Sequence, residues 1–187
     1  MTNAKKSENA DCEMDAIDLL TSDHHEVETF FKKYKKLTHK DADSEQRLEL
    51  AGKICQALSV YAQIEEEIFY PTLRKALEEG DLLDEAEVEH ATVKSLIEQT
   101  MASSPDEPLY DAKVMVLGEY VDHHVKEEEG QLFKKARKAK VDLDKLGMNI
   151  ATRKSELMEE QNTDKKSKHA SNASSASHKK SSSEART

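Results

Sequence analysis

The sequence predicts an all-α protein built as an antiparallel four-helix bundle, and three observations support this class. Only five Gly and three Pro occur in 187 residues, so long segments lack residues that break helices. Charged residues make up 35% of the chain, and Ala, Leu, Glu and Lys are prominent, as is typical of helices. No Asn-Gly or Asp-Gly pair occurs, although tight β-hairpins favour them. The length is sufficient for one domain with a hydrophobic core.

Four long helical segments and one short C-terminal segment are predicted. The long segments cover residues 13–38, 44–79, 83–103 and 108–140, and the short one ends near residue 160. Gly80 suits the left-handed position after a helix, and Pro108 suits a first helical turn. Pro71 is expected to kink or break the second helix near its end, because proline lacks an N–H donor.

Both ends of the chain are expected to lie outside the bundle, which takes up residues 13–160. Residues 1–12 are polar and are predicted to form a flexible leader. Residues 161–187 are rich in Ser and Lys and contain no large apolar residue. Because burial cannot offset the entropy of ordering such a segment, we predict a disordered tail there.

Charge and hydropathy restrict the partners that are expected. A formal net charge of −10 argues against general affinity for nucleic acid. No apolar run approaches the roughly 20 residues that span a membrane, and the N-terminal stretch lacks the apolar segment of a secretory signal. The sequence therefore predicts a cytoplasmic protein that binds neither nucleic acid nor membrane.

Steps of three and four residues along each long helix select a face that is apolar except near its middle. There each face carries side chains of the types that ligate metals or lie beside them. These are His24 on the first helix, Tyr61 and Glu65 on the second, His90 on the third, and His124 and Glu128 on the fourth. The neighbouring histidines His25 and His123 are rotated off these faces. Glu127 and Glu129 are expected to be solvated or to lie behind the ligands.

Three histidines, two glutamates and a tyrosine on converging faces predict a bound cation. An ionised carboxylate in a dry core costs several kcal/mol unless it is paired, and a metal ion supplies the opposite charge. Imidazole with carboxylate suits iron, manganese or zinc, and six candidate ligands suit a two-metal site. Glu87 and His90 form the one Glu-x-x-His pair near these positions, whereas the ferritin-like pattern needs two.

This arrangement resembles the hemerythrin-like HHE cation-binding family over roughly residues 15–160. The resemblance rests on the stretches DLLTSDHHEV, YAQIEEEIFYP, EVEHATV and YVDHHVKEEEGQLF. It implies a four-helix bundle around two non-haem iron ions, which an oxo or hydroxo group can bridge. It also implies a ligand set in which the two glutamates bridge the metals, namely His24, Glu65, His90, His124 and Glu128.

One position departs from the family pattern. Where the family has a histidine four residues before the glutamate of the second helix, this chain has Tyr61. Tyr61 could ligate as a phenolate, the position could be open or filled by water, or Tyr61 could be a buried aromatic with a hydrogen-bonded hydroxyl. We favour coordination. A phenolate would stabilise ferric iron, which favours peroxide or redox chemistry over oxygen transport.

The expected function is that of a di-iron protein that binds or reacts with oxygen, peroxide or nitric oxide, in a response to oxidative or nitrosative stress. Catalase-like breakdown of peroxide is among the activities that the resemblance implies, and the sequence leaves open whether the chain is an enzyme. Two alternatives stand beside this one. The first is a non-enzymatic iron store or oxygen-binding protein, and the second is a bundle that docks a partner through its Lys/Ser tail.

Overall fold

The computed structural model describes residues 14–38, 43–77 and 80–180, with side chains through residue 163, and all regular elements among them are helical. In chain order they are α1 (Ala16–Thr38), α2 (Ser44–Ile64), a first π turn (Glu65–Phe69), α3 (Tyr70–Ala76), α4 (Asp81–Met101), α5 (Tyr110–Glu127), a second π turn (Glu128–Leu132), α6 (Phe133–Lys138) and α7 (Leu143–Lys180). None of the described helices combines the length and the apolar character needed to cross a lipid bilayer.

The long helices form the predicted antiparallel four-helix bundle. The two π turns join α2 to α3 and α5 to α6 without a break, so the bundle consists of four rods. Helix α1 packs against α2 and α5, and α4 packs against α2 and α5 from the opposite corner. Short connections between successive rods require neighbouring rods to run in opposite directions. Helix α7 lies across α1 and α2 and contacts the first π turn.

Aspartates mark the starts of three helices. Asp15 Oδ1 accepts the backbone N–H of Ile17 at 2.8 Å, before the first turn of α1 is complete. Asp43 caps α2 in the same way, with its Oδ1 3.3 Å from the N–H of Glu45. Asp142 Oδ1 accepts a backbone N–H at 3.0 Å at the start of α7. Each carboxylate satisfies a donor that has no partner within its helix, which fixes where the helix begins.

Two turn residues take positions that differ from the prediction. The sequence predicts Gly80 in the left-handed region, but its φ is −97° and it directly precedes α4. Its carbonyl accepts the N–H of Asp84 at 3.0 Å, which requires right-handed geometry. The sequence predicts Pro108 inside the fourth long helix, but α5 begins at Tyr110. The Tyr110 N–H donates to the carbonyl of Glu107 at 3.1 Å, and this turn holds the proline outside the helix.

The two π turns shift the faces of the helices that contain them. The Tyr70 N–H donates to the carbonyl of Glu65, five residues earlier, and the second π turn closes in the same way on Glu128. Such a turn inserts about one residue relative to an α-helix. Ile68, which the periodic pattern places on the inward face, is consequently only half-buried, while Phe69 and Tyr70 lie in the core.

The expected break at Pro71 does not occur, because the chain continues as a helix to Ala76. Pro71 is the second residue of α3, and Tyr70 alone separates it from the end of the first π turn at Phe69. The hydrogen-bonding pattern already changes at this point, so a residue without an N–H is accommodated there.

Helix α7 is longer than predicted. The sequence predicts a short helix ending near residue 160 and a disordered tail beyond it, but the backbone is helical to Lys180. No Gly or Pro follows Gly147 in this helix, so nothing in the sequence forces it to end. The predicted leader and residues 181–187 lie outside the described residues.

Apolar packing and one buried ion pair hold α7 on the bundle. Leu146, Ile150 and Leu157 are buried in the common core. Lys154 pairs with Asp23 of α1, whose side chain is almost fully buried. Burial raises the pKa of Asp23 to about 6, although the ammonium group of Lys154 opposes the shift. The α1 residue next to His24 thus depends on α7 for its counter-charge.

Gly147 sets how closely α7 approaches the start of α1. A Cβ atom at this position would lie 2.8 Å from the carbonyl oxygen of Met14 and 3.0 Å from the backbone nitrogen of Ala16. Both are backbone atoms that begin α1, so they cannot move aside as a flexible side chain would.

We expect Gly147→Ala to lower the free energy of unfolding by about 1–3 kcal/mol, the usual cost of overpacking. Gly52→Ala is the matched control, because a Cβ at Gly52 meets nothing within 4 Å in the interior of α2. The control should raise stability by about 0.5–1 kcal/mol, since alanine favours a helix over glycine. Denaturant unfolding of both variants tests this, and an equally stable Gly147→Ala variant would show that α7 can shift freely.

Candidate metal centre

Five of the six candidate ligands converge at the centre of the bundle. All are buried, and the four rods each contribute, with His24, Glu65, His90, His124 and Glu128. His24 Nε2 lies 3.6 Å from Glu65 Oε1 and 3.3 Å from Glu128 Oε2. His90 Nε2 lies 3.2 Å from Glu65 Oε2, and His124 Nε2 lies 3.7 Å from Glu128 Oε2.

These side chains form two groups that share one carboxylate. Glu65 gathers with His90 and His124 in one group, and with His24 and Glu128 in the other. Within each group, one ligand atom per residue lies within 4.8 Å of the others. The Nε2 atoms of His90 and His124 are 3.2 Å apart. The arrangement can therefore hold two cations with Glu65 between them.

A ring of outer carboxylates orients the three imidazoles. In each histidine the Nδ1 atom meets a glutamate of another helix, so the Nε2 atom is left facing the centre. The pairs are His24 with Glu129 at 2.9 Å, His90 with Glu66 at 2.9 Å, and His124 with Glu89 at 2.8 Å. Metal-binding histidines characteristically use this carboxylate–imidazole contact, which fixes the ring and its tautomer. The sequence pattern did not reveal Glu66 or Glu89 in this role.

The carboxylate of Glu128 gives the strongest indication that the residues fit a cation. Both of its oxygens are buried, and neither has a hydrogen-bond partner among the described residues. A buried carboxylate without hydrogen bonds costs several kcal/mol, so this group needs a positive charge beside it, and the nearest imidazole nitrogen, His24 Nε2, lies 3.3 Å from its Oε2. A metal ion at the centre of the two ligand groups would supply that charge.

The comparison with known proteins agrees with this chemistry. The hemerythrin HHE cation binding domain matches residues 15–136, which is more than half of the chain. The chain belongs to the hemerythrin HHE cation-binding family. The matched range includes the five converging side chains, and it ends within α6.

Two similar proteins place this HHE domain among its relatives. The chain is 33% identical over 121 residues to a Nostoc protein named DNA nickase, across 65% of this chain and 33% of that protein. It therefore spans about a third of the length of that relative. The crystal structure of a hemerythrin HHE cation binding domain-containing protein from Mycobacterium kansasii has a TM-score of 0.65 at 22% identity, covering 77% of this chain and 87% of that one. That structure shares the fold of this bundle.

Two histidines of the HHE centre hold protons strongly, whereas Glu65 stays ionised. Burial disfavours a charged His24, but its contacts with the carboxylates of Glu128, Glu129 and Glu65 outweigh burial and raise the His24 pKa well above its usual value. Glu65 and Glu66 likewise overcome burial and raise the His90 pKa to about 8. Burial alone would raise the pKa of Glu65, but His24 and His90 hold it well below the usual range. Without a metal, imidazolium groups therefore compensate the carboxylates at neutral pH.

Metal binding is expected to release protons at pH 7, because a ligating imidazole must be neutral. With the His90 pKa raised to about 8 and that of His24 also raised, protons compete with the metal at neutral pH. Metal affinity should therefore increase as the pH rises through about 8. Calorimetric titrations of the metal-free protein in two buffers of different ionisation enthalpy measure the protons released. Equal heats in the two buffers would contradict this account.

The hydroxyl of Tyr61, the sixth candidate ligand, forms its hydrogen bond with a residue outside the cluster. Tyr61 is buried on α2, and its hydroxyl donates a hydrogen bond to a carboxylate oxygen of Glu26 on α1. Burial, followed by the charges of Asp23 and Glu26, raises the pKa of the phenol. The arrangement matches the alternative of a packed aromatic with a bonded hydroxyl. A phenolate ligand would have to give up this hydrogen bond and a proton that is held more tightly than usual.

Tyr70 is a second tyrosine at the centre, and the periodic pattern does not predict it there. Its hydroxyl lies 3.3 Å from His90 Nε2, and its ring packs against the His90 ring. Burial and the charges of Glu128 and Glu65 raise its pKa well above the usual value, so it stays a neutral hydrogen-bonding group. Tyr70 lies five positions after Glu65, and two side chains at this spacing point in different directions in an α-helix. The first π turn brings it back to the inward face.

A small cavity adjoins the ligand cluster. Its volume is about 30 Å³, and ligand residues, Tyr61 and several valines line it. A cavity needs about 10–15 Å³ by this measure to hold one water molecule, so this one accommodates a guest of two or three heavy atoms at most. A separate groove of about 460 Å³ runs between α1 and α5 and reaches His24 and Glu129.

Proposed function

We propose that this chain binds two non-haem iron ions and that the pair binds or reacts with oxygen, peroxide or nitric oxide in a response to oxidative or nitrosative stress. His24 and Glu128 would hold one ion and His90 and His124 the other, with Glu65 shared. The iron pair would supply one-electron chemistry and open coordination positions. The observation that carries this proposal is the small cavity beside three ligand histidines.

The ligand chemistry supports iron as the metal. Three imidazoles and two carboxylates make a mixed nitrogen and oxygen donor set, which suits iron and is poor in the sulfur donors that select copper(I). The two groups that share Glu65 support a pair of ions rather than one. The ring of outer glutamates supports retention of the metal, because such contacts orient the imidazoles and raise their basicity.

The cavity supports a small, weakly polar guest. Val27, Val93, Val121 and Val125 line it together with the ligand side chains, so much of its wall is apolar. Oxygen, nitric oxide and hydrogen peroxide fit about 30 Å³, whereas an organic substrate does not. The groove between α1 and α5 gives such molecules an approach from the surface to His24.

Reversible oxygen binding without turnover is the second candidate function, and the position of the Tyr61 hydroxyl favours it. A phenolate on iron would disfavour reversible oxygen binding by stabilising the ferric state. Because the hydroxyl is hydrogen-bonded to Glu26, it does not supply a phenolate ligand, and this argument against reversible oxygen binding does not apply. Measurement of the reaction is therefore needed to distinguish turnover of peroxide from binding of a diatomic ligand.

The reaction is tested on the full chain loaded with iron(II) without oxygen and then mixed separately with oxygen, nitric oxide and hydrogen peroxide. We expect two irons per chain and a new visible absorption band with at least one of these ligands. His124→Ala should hold at most half of the iron, because it removes a ligand from one of the two groups. A wild-type protein with two irons and no spectral response to any of the three would overturn the proposal.

The same experiment tests the role of the cavity through Val93, which lines it without being a ligand. Val93→Ile adds a methyl group to the wall and should weaken nitric oxide binding by roughly tenfold, as about 1–2 kcal/mol of overpacking would. Val93→Ala enlarges the space and serves as the control, with no loss of nitric oxide affinity. Both variants should keep the iron content of the wild type.

Tyr61→Phe is expected to leave the visible bands and the reduction potential of the iron-loaded protein unchanged. The hydroxyl that it removes is bonded to Glu26, and its pKa is raised, so it contributes no phenolate. Tyr70→Phe is the comparison, because the Tyr70 hydroxyl lies 3.3 Å from His90 Nε2 and its loss should shift the potential. Disappearance of a tyrosinate-to-iron band in Tyr61→Phe would instead establish Tyr61 as a ligand.

A further inference from the structure

A second group of metal-ligating side chains lies at the surface beside the buried centre. Glu89 of α4 meets His123 and Glu127 of α5, with His123 Nε2 3.4 Å from Glu89 Oε1 and 3.8 Å from Glu127 Oε2. One ligand atom from each of the three residues lies within 4.8 Å of the others. His123 is largely exposed, with 63% of its side-chain surface accessible, so the group is open to ions in solution.

Glu89 connects this surface group to the buried centre. While its Oε1 faces His123, its Oε2 lies 2.8 Å from His124 Nδ1. A single carboxylate therefore touches an exposed histidine on one side and a buried candidate ligand on the other.

A crevice runs inward from the same place. It holds about 10 Å³, and its lining includes Glu89 and Glu127 of the surface group together with His124 and Glu128 of the centre. Glu128 is 3% exposed, and both of its carboxylate oxygens lack a hydrogen-bond partner among the described residues. Two possible cation ligands, Glu89 and Glu127, therefore border the crevice near the surface. Glu128, whose carboxylate needs a cation, borders it at the centre.

We propose that Glu89, His123 and Glu127 form a surface site that captures a divalent transition-metal ion and delivers it through this crevice to the buried centre, which the crevice meets at His124 and Glu128. The mixture of one imidazole with two carboxylates suits iron(II), manganese(II), cobalt(II) or zinc(II). Delivery exchanges ligands and leaves the oxidation state of the ion unchanged. The captured ion exchanges its surface ligands for the inner ones, and protons leave the inner imidazoles as it arrives. The inference rests on metal binding at the buried centre.

The other exposed histidine beside a buried ligand provides a matched control. His25 follows His24 on α1 as His123 precedes His124 on α5, and it is similarly exposed. Its carboxylate contact is with Glu28, at 3.8 Å, and it belongs to none of the three-residue groups found among the described residues. Replacing either histidine removes the same side chain from the surface, but only one replacement disrupts the proposed site.

The test uses cobalt(II), whose visible absorption reports binding, and the full-length chain prepared without metal. Equilibrium dialysis of the wild type should show two tight equivalents and one weaker equivalent. His123→Ala and Glu127→Gln should lose the weaker equivalent and keep the tight ones, while His25→Ala should match the wild type. At low cobalt(II), the two surface-site variants should fill the buried centre about tenfold more slowly, because they lack the locally concentrated ion. High cobalt(II) should restore their rate.

Unchanged loading rates in His123→Ala and Glu127→Gln would overturn the proposal. It would also fail if His25→Ala slowed loading equally, since general surface charge would then be the cause. Loss of a tight equivalent in His123→Ala would likewise overturn it, because His123 would then act on the buried centre itself. A wild-type chain without tight equivalents would refute the proposed function instead, and with it the destination of the ion.

Discussion

The need to keep two buried carboxylates charged governs the centre of this protein. Glu65 and Glu128 lie beside three buried histidines in a core that is mostly apolar, and Glu128 has no hydrogen-bond partner among the described residues. Positive charge must therefore be supplied from within, by imidazolium groups or by metal ions. The raised pKa values of His24 and His90 are consequences of this constraint. Protons and metals compete for one set of atoms, so the empty and loaded forms can both be electrostatically satisfied.

The periodic pattern predicted the rods and five converging side chains because apolar steps of three and four identify a buried face wherever the helix is regular. It placed Ile68 on the inward face, where Ile68 is only half-buried, and it missed Tyr70; the first π turn explains both. A π turn changes one hydrogen bond and shifts the face by about one residue, which residue types alone do not encode. Pro71 was a usable signal, since a proline at this point of a continuous helix indicates altered hydrogen bonding.

The outer glutamates could not be predicted for a different reason. Glu66 and Glu89 belong to acidic stretches that look like solvated helix surface, and their partners lie on other rods. Only the packing angle between rods decides whether such a side chain reaches an imidazole. The hydroxyl of Tyr61 was likewise assigned by its spacing on α2, whereas Glu26 of α1 determines where it points. Sequence periodicity thus identifies the residues that face the centre, whereas the hydrogen-bond partners of their side chains depend on tertiary structure.

The sides of the bundle differ in what they admit to the centre. Helix α7 covers the side formed by α1 and α2, where Lys154 neutralises Asp23 next to His24. The groove between α1 and α5 reaches His24, and the narrower crevice between α4 and α5 reaches Glu128. The groove is wide enough for a small neutral molecule, whereas a crevice bordered by carboxylates suits a cation. Because the two routes end on different ligands, a metal ion and its reactant need not share a path. The side that α7 covers has a structural role: α7 holds α1, and with it His24, against the rest of the ligand cluster.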